Sequence, residues 1–229
     1  MTYYSPTEWN LGPDEPIYPA PQPPKLVAAF CYRYEPDWLI DQACENLAWV
    51  DEIITVDTSR HPDLWVPRRE RLAMMQEAAR KAKADWVLHI DPDERLEDRA
   101  EKVIRRALSR PKFDRYALRM WELWSPTEYR VDGVWGEKWR RRLYRLGCDP
   151  KAPIGRLKVN IYHLATAEPV NRTIRRRVHT DHNSWDNRRR GFDYLDDESG
   201  LVTEPIPKGR GFHPPYRRYI KQVPGYEPT

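Results

Sequence analysis

The sequence predicts an α/β fold with a mostly parallel central sheet flanked by helices. Short apolar runs without charge at residues 26–30 and 86–90 read as buried strands, and residues 53–56 are a further β-rich run. Stretches rich in helix formers or with apolar residues at helical spacing, 36–48 and 68–83, separate them. Carboxylates at Glu35, Asp57, Asp91 and Asp93 stand just past the ends of these runs, the edge at which ligands bind in parallel sheets.

Residues 1–24 hold seven prolines and read as an extended arm, with Tyr3, Tyr4, Trp9 and Tyr18 able to rest against the body. Leu26–Phe30 is the first strand. Pro36 opens a helix that places Trp38/Leu39, Ala43 and Leu47 on one face. Ile53–Val56 is the second strand, closed by Asp57-Thr58-Ser59, and residues 68–83 form the second helix. Trp86–Ile90 runs straight into Asp91-Pro92-Asp93-Glu94, and a third helix follows over about 97–109. This β-α-β-α-β order implies right-handed crossovers. The later half is less regular: Tyr116–Trp124, Trp139–Leu146 and Val159–Tyr162 are strand-like, whereas 191–201 and 205–220 are turn-rich and aromatic. The expected organisation is an arm (1–24), a βαβαβ half (25–114), an Arg-rich half (115–200) and a coil tail wrapping the body (201–229).

The 229 residues carry 39 Lys+Arg and 35 Asp+Glu, a net charge of +4. Residues 1–114 hold 16 basic and 21 acidic side chains (16 − 21 = −5), and residues 115–229 hold 23 and 14 (23 − 14 = +9). Of the 39 basic residues 29 are Arg, the planar fork that suits phosphate and carboxylate. No stretch approaches the length of a membrane span, and the first residues lack the basic and apolar regions of a secretory leader. Cys31, Cys44 and Cys148 are odd in number without a CxxC, so a reducing, cytoplasmic setting is expected; Cys31 and Cys44 read as core.

Asp91-Pro92-Asp93-Glu94 after an apolar strand is the strongest chemical signal. Two carboxylates one residue apart in a turn suit Mg²⁺ or Mn²⁺, which take one or two carboxylates plus substrate phosphates. The structural counterpart is a cap on the following helix. Three arginine clusters, Arg140–Arg142 with Arg145, Arg172 with Arg175–Arg177, and Arg188–Arg190, follow within about fifty residues. Arg142 and Arg145 flank an apolar pair and are the candidates for a bidentate diphosphate clamp. The surplus is a solvated surface or faces a polyanion, with Tyr144, Tyr162, His179, His182 and Trp185 interleaved.

Leu26–Phe30, Glu35, the run Glu52–Ser59 and Ala84-Asp85-Trp86 through Glu94 resemble a family 2 glycosyltransferase with the GT-A fold. The similarity covers about residues 25–98. Tyr129–Trp135, Arg142–Arg145 and His163-Leu164 extend it more loosely to about residue 200. The second strand departs from the family, being followed by Arg60-His61-Pro62 instead of a stretch rich in Asp, Gly and Ser. The resemblance implies a nucleotide-sugar donor, UDP-sugar first, a Mn²⁺ or Mg²⁺ cofactor, and an irregular Arg-rich acceptor region. Asp57 would bind the base or ribose, and Arg33, Glu35 and Arg71 would line the nucleotide pocket. Asp91 would hold the sugar and, with Asp93 and His163, the metal–diphosphate; Glu94 would orient neighbours. An inverting transfer needs a carboxylate base. Asp132 is preferred for its turn beside Trp135, with Glu137, Glu122 and Glu128 as alternatives. The acceptor is open among DNA, protein and glycan. Two further readings stand: a non-catalytic nucleic-acid-binding protein using the Arg-rich half, and a sugar-nucleotide nucleotidyltransferase. The latter is weakened because Cys31–Glu35 holds no glycine for a phosphate loop.

Overall fold

A computed structural model describes residues 22–63, 66–136, 138–181 and 198–226. Most of the Pro-rich arm, Glu137, His182, Trp185 and Arg188–Arg190 lie outside the described residues.

The chain runs β1 (Leu26–Tyr32), α1 (Asp37–Asn46), β2 (Glu52–Asp57), α2 (Arg68–Lys81), β3 (Trp86–His89), β4 (Glu94–Leu96) and α3 (Ala100–Ser109). It continues with β5 (Arg115–Glu122), β6 (Glu128–Arg130), β7 (Trp139–Arg145), β8 (Ile154–His163), α4 (Pro169–Asp181) and β9 (Thr203–Pro205). Seven strands form one sheet in the order β2-β1-β3-β7-β5-β8-β4, and β6 pairs β9 in a small ribbon. β1, β2, β3, β5 and β8 point one way; β7 and β4 run against them. The fold is therefore α/β, a mixed seven-stranded sheet with most strands parallel, flanked by helices.

The apolar runs of β1 and β3 make strands because both faces of the sheet are covered there, whereas β2, at the sheet edge, has no buried residue. On one side Leu26, Ala28 and Phe30 of β1 and Trp86 and Leu88 of β3 pack against Ala43 and Leu47, at the end of α1, and Ile104 and Leu108 of α3. On the other, Val27, Ala29 and Val87 meet Met75 and Ala79 of α2. The odd–even split is the period-2 alternation of a strand.

Two elements depart from the expected order. β4 occupies what was expected to be the acidic turn leading into the third helix, and α3 runs from Ala100 rather than from about residue 97. Its sequence, Glu94-Arg95-Leu96, is fully buried because Arg95 donates to the carbonyls of Pro92, Glu94 and Leu39. A buried charge is tolerated when most of its donors are satisfied, and here both terminal nitrogens are, while Nε has no partner among the described residues. The arginine cluster at 172–177 lies on α4, whose Ile174 and Val178 pack against Val223. Apart from β9, residues 198–226 have little regular structure, yet Tyr219 and Val223 are buried. No helix among the described residues is long and apolar enough to cross a membrane.

Candidate active site

The carboxyl ends of β1 and β3 open into a cleft of about 190 Å³, lined by Cys31, Glu35, Arg71, Asp91–Asp93, His163, Ile174, Arg175, Val178, Lys221 and Val223. A smaller recess beside it shares Cys31, Glu35, Arg71 and Lys221 and adds Tyr32–Tyr34, Thr58 and Val66. Sheet register explains the meeting of residues far apart in sequence. The last residue of β8, His163, lies between β4 and β5, opposite Glu94 on one side and Glu122 on the other. Leu164 N–H then donates to the Asp93 carbonyl at 2.8 Å, which locks the Asp93 turn to the end of β8.

Asp93 and His163 face each other, with Oδ2 and Nε2 3.5 Å apart and both residues buried. The other ring nitrogen of His163 meets Glu122, which also takes the Lys138 ammonium. A carboxylate on the far nitrogen fixes ring orientation, as behind metal-bound histidines. Burial pushes the His163 imidazole down, but Glu122 and Asp93 outweigh it and hold the pKa up at about 9. Burial raises Asp93 and Glu122, and His163 outweighs it, holding both carboxyls below the usual range. With its pKa held up, the His163 ring is a cation paired to Asp93 and Glu122, so a divalent ion held chiefly through substrate phosphates would take Asp93 as its carboxylate and would gain the His163 Nε2 only on displacing the ring proton. Among the described residues no group of three or more His, Cys, Asp or Glu converges as a ready-made metal cage.

Asp91 has a different environment. Its carboxylate lies 3.0 Å from Arg142 Nη2, 3.4 Å from His89 Nε2 and 3.8 Å from Arg71 Nη1. Arg142 also meets Glu94, whose other oxygen accepts the Asp91 N–H at 3.0 Å. Burial raises the Glu94 carboxyl to about 7 against the pull of Arg142. So Arg142, expected as a diphosphate clamp, neutralises the acidic cluster from behind. Arg145 is not brought to the site. β7 runs antiparallel to β3 and sets Arg145 opposite Trp86, at the amino end of β3, where it pairs with Asp114 at 2.7 Å.

Glu35 and Arg33 are both in the recess. Glu35 accepts the N–H groups of Arg33 and Tyr34, and its other oxygen faces Lys221 at 3.9 Å. Arg33 donates to the carbonyls of His61 and Asp63 and so ties the loop after β1 to the loop after β2. Asp57 is exposed and caps its own turn through the Ser59 N–H at 2.7 Å, lining neither the cleft nor the recess. Asp132 is bound in a two-pronged pair with Arg130 and does not line the cleft. Glu128 bonds within its own turn, to Ser125.

The cations of the cleft wall are Arg71, Arg175 and Lys221, of which only Arg71 was expected. Arg175 lies with Nη1 3.3 Å from the His163 ring nitrogens. Its signal was present in Val170, Ile174 and Val178, spaced four apart as on a helix face. Lys221 has no local signal: it reaches the site because Asn171 accepts its backbone N–H at 2.7 Å and Val223 packs on α4. Fold and site together define an α/β protein with a charge-balanced cleft at the carboxyl edge of its sheet. Compared with models of known protein families and with curated proteins, the chain matches none.

Proposed function

We propose that the protein is a metal-dependent glycosyltransferase of GT-A type, moving a sugar from a nucleotide-sugar donor, UDP-sugar first, to an acceptor hydroxyl with inversion. The observation that carries this reading is the facing pair Asp93 and His163, the latter oriented by Glu122, at the end of the strand bearing Asp91-Pro92-Asp93. A Mn²⁺ or Mg²⁺ bound there supplies positive charge to a diphosphate leaving group. Arg71, Arg175 and Lys221 line the same cleft and supply further cations for the phosphates. The recess holding Arg33, Glu35 and Thr58 takes the nucleoside end. In the transfer the acceptor oxygen forms a bond to the anomeric carbon. The bond from that carbon to the diphosphate oxygen breaks with its electron pair, and the acceptor proton passes to a carboxylate. Glu122 is engaged by His163 and Lys138, and Asp132 by Arg130, so Glu137, adjoining Lys138 in sequence, is the base to test first.

The test is a panel of UDP-, GDP- and dTDP-sugars read by nucleotide release with and without Mn²⁺. Release that needs the metal and is lost in Asp93→Ala is expected. Absence of both binding and release across the panel would overturn the reading.

A further inference from the structure

Beyond the far edge of α2 a second and larger groove, of about 750 Å³, runs alongside β7. Leu72, Ala73 and Tyr144 line it together with four arginines: Arg68 and Arg69 in the first turn of α2, Arg141 of β7 and Arg115 of β5. Among the described residues Arg68, Arg69 and Arg141, and Arg140 beside them, have no hydrogen-bond or ion-pair partner. The nearby carboxylates are committed elsewhere, Asp91 to Arg142 and Asp114 to Arg145. Burial and the positive charges of Arg142, Arg140 and Arg141 lower the Arg68 pKa, and Asp91 opposes them only in part. Two cations in the first turn of a helix also oppose its macrodipole. This crowding of like charge is unfavourable for the free protein and is relieved by a bound polyanion.

The number of uncommitted cations distinguishes a chain of phosphates from a single one. Arg115 is tied through Nη1 to the Pro150 and Ala152 carbonyls, which leaves Arg68, Arg69, Arg140 and Arg141. Four unit cations match the charge of several successive phosphodiesters rather than one. Guanidinium forks above an apolar floor suit a sugar-phosphate backbone. His89 lines this groove and contacts Asp91, so the groove adjoins the candidate active site.

We infer that the groove binds the phosphodiester backbone of a nucleic acid and thereby presents the acceptor. The acceptor role rests on the transferase reading; the binding does not. The test is fluorescence anisotropy on the full chain with labelled 20-mer single-stranded and duplex DNA, without donor or metal. With four phosphate contacts, affinity should fall about 50-fold for single strands and about 150-fold for duplex between 50 and 200 mM salt. Arg69→Glu/Arg141→Glu should weaken binding at least about 20-fold at low salt, and Arg69→Lys/Arg141→Lys only a few-fold. Thermal melting of both variants checks that the fold persists.

No binding to either DNA at 50 mM salt would overturn the inference. So would binding untouched by the charge reversal, or complete displacement by millimolar inorganic phosphate or by an acidic peptide at equal charge concentration. Nucleotide release is measured separately. Donor turnover without DNA binding sinks the groove alone, and DNA binding without donor turnover sinks the transferase reading alone.

Discussion

Replacing Arg142 by Met keeps the length of the side chain and removes its charge. In the parent protein the guanidinium reaches Asp91 at 3.0 Å and also meets Glu94, and all three groups lie among the buried or half-buried residues at the end of β3. Removing one partner of a buried ion pair costs about 3–5 kcal/mol, because it leaves charge in a poorly solvating place. Here one cation serves both the Asp91 and the Glu94 carboxylates, and the Asp91 N–H donates to Glu94 at 3.0 Å, so the upper part of that range is expected at pH 8. This corresponds to a rise of roughly 10³-fold or more in the unfolding equilibrium constant. The cost depends on pH in a stated direction. Burial already raises the Glu94 carboxyl to about 7, and without Arg142 it rises further. A group with a raised folded-state pKa is favoured below its unfolded value and loses that advantage as pH rises through the folded one. The deficit of Arg142→Met should therefore be smaller at pH 5 than at pH 8. Urea unfolding followed by circular dichroism at both pH values measures it. Arg142→Lys should recover only part of the loss, since one ammonium does not reproduce the fork across two carboxylates. A loss below about 1 kcal/mol at pH 8 would refute the reasoning, as would a larger loss at pH 5 than at pH 8.

Leu88→Ala empties a fully buried site in the middle of β3 and should cost about 2–5 kcal/mol in a denaturant melt. Gly155→Ala places a Cβ 2.6 Å from Phe113 Cδ2 and 2.7 Å from Tyr116 Cδ1, so overpacking by about 1–3 kcal/mol is expected, read as a lowered Tm. Hydrogen bonds from Arg105 and from the Leu26 N–H hold the Asp51 carboxyl below its usual range. That contribution is present above the unfolded value and fades as pH falls through the folded one, so Asp51→Asn should lose less stability than the parent between pH 5 and pH 2.5, by thermal melting. Lys221→Met should weaken nucleoside diphosphate binding about tenfold, or about 1.4 kcal/mol, by calorimetry; an unchanged Kd would remove residue 221 from the donor site.

The first half of the fold was legible because local pattern and tertiary role agree there. Leu26–Tyr32 and Trp86–His89 carry the apolar content that buried strands need, Glu52–Asp57 at the sheet edge carries a β-branched run, and the helices between them carry good helix formers. Glu94-Arg95-Leu96 was not legible, because two charged residues in three look like the polar start of a helix. The partners that make Arg95 a core residue are carbonyls, which leave no trace in a sequence. In the site, Glu35, Asp91, Asp93 and His163 were found by residue type and place after a strand and Arg71, on the second helix, through the family resemblance, and the structure brings all five to one cleft. Arg142 and Arg145 looked equivalent from their spacing. Strand direction, a long-range property, separates them and puts one behind the cleft and the other at the opposite end of the sheet. The base remains the least legible role, because any exposed carboxylate in the second half meets the same local description.

The cleft is assembled from residues whose order of synthesis is widely spread. Asp91 and Lys221 are 221 − 91 = 130 positions apart, and both line it. At about 5–20 residues per second, some 7–26 s separate their emergence from the ribosome. During that interval the growing chain holds the acidic turn without the wall made by Lys221 and Val223. The βαβαβ half can pack its sheet early, but a cleft walled on this side exists only once Lys221 and Val223 have been made. A chain that stops short of Lys221 is thereby kept from presenting a finished cleft.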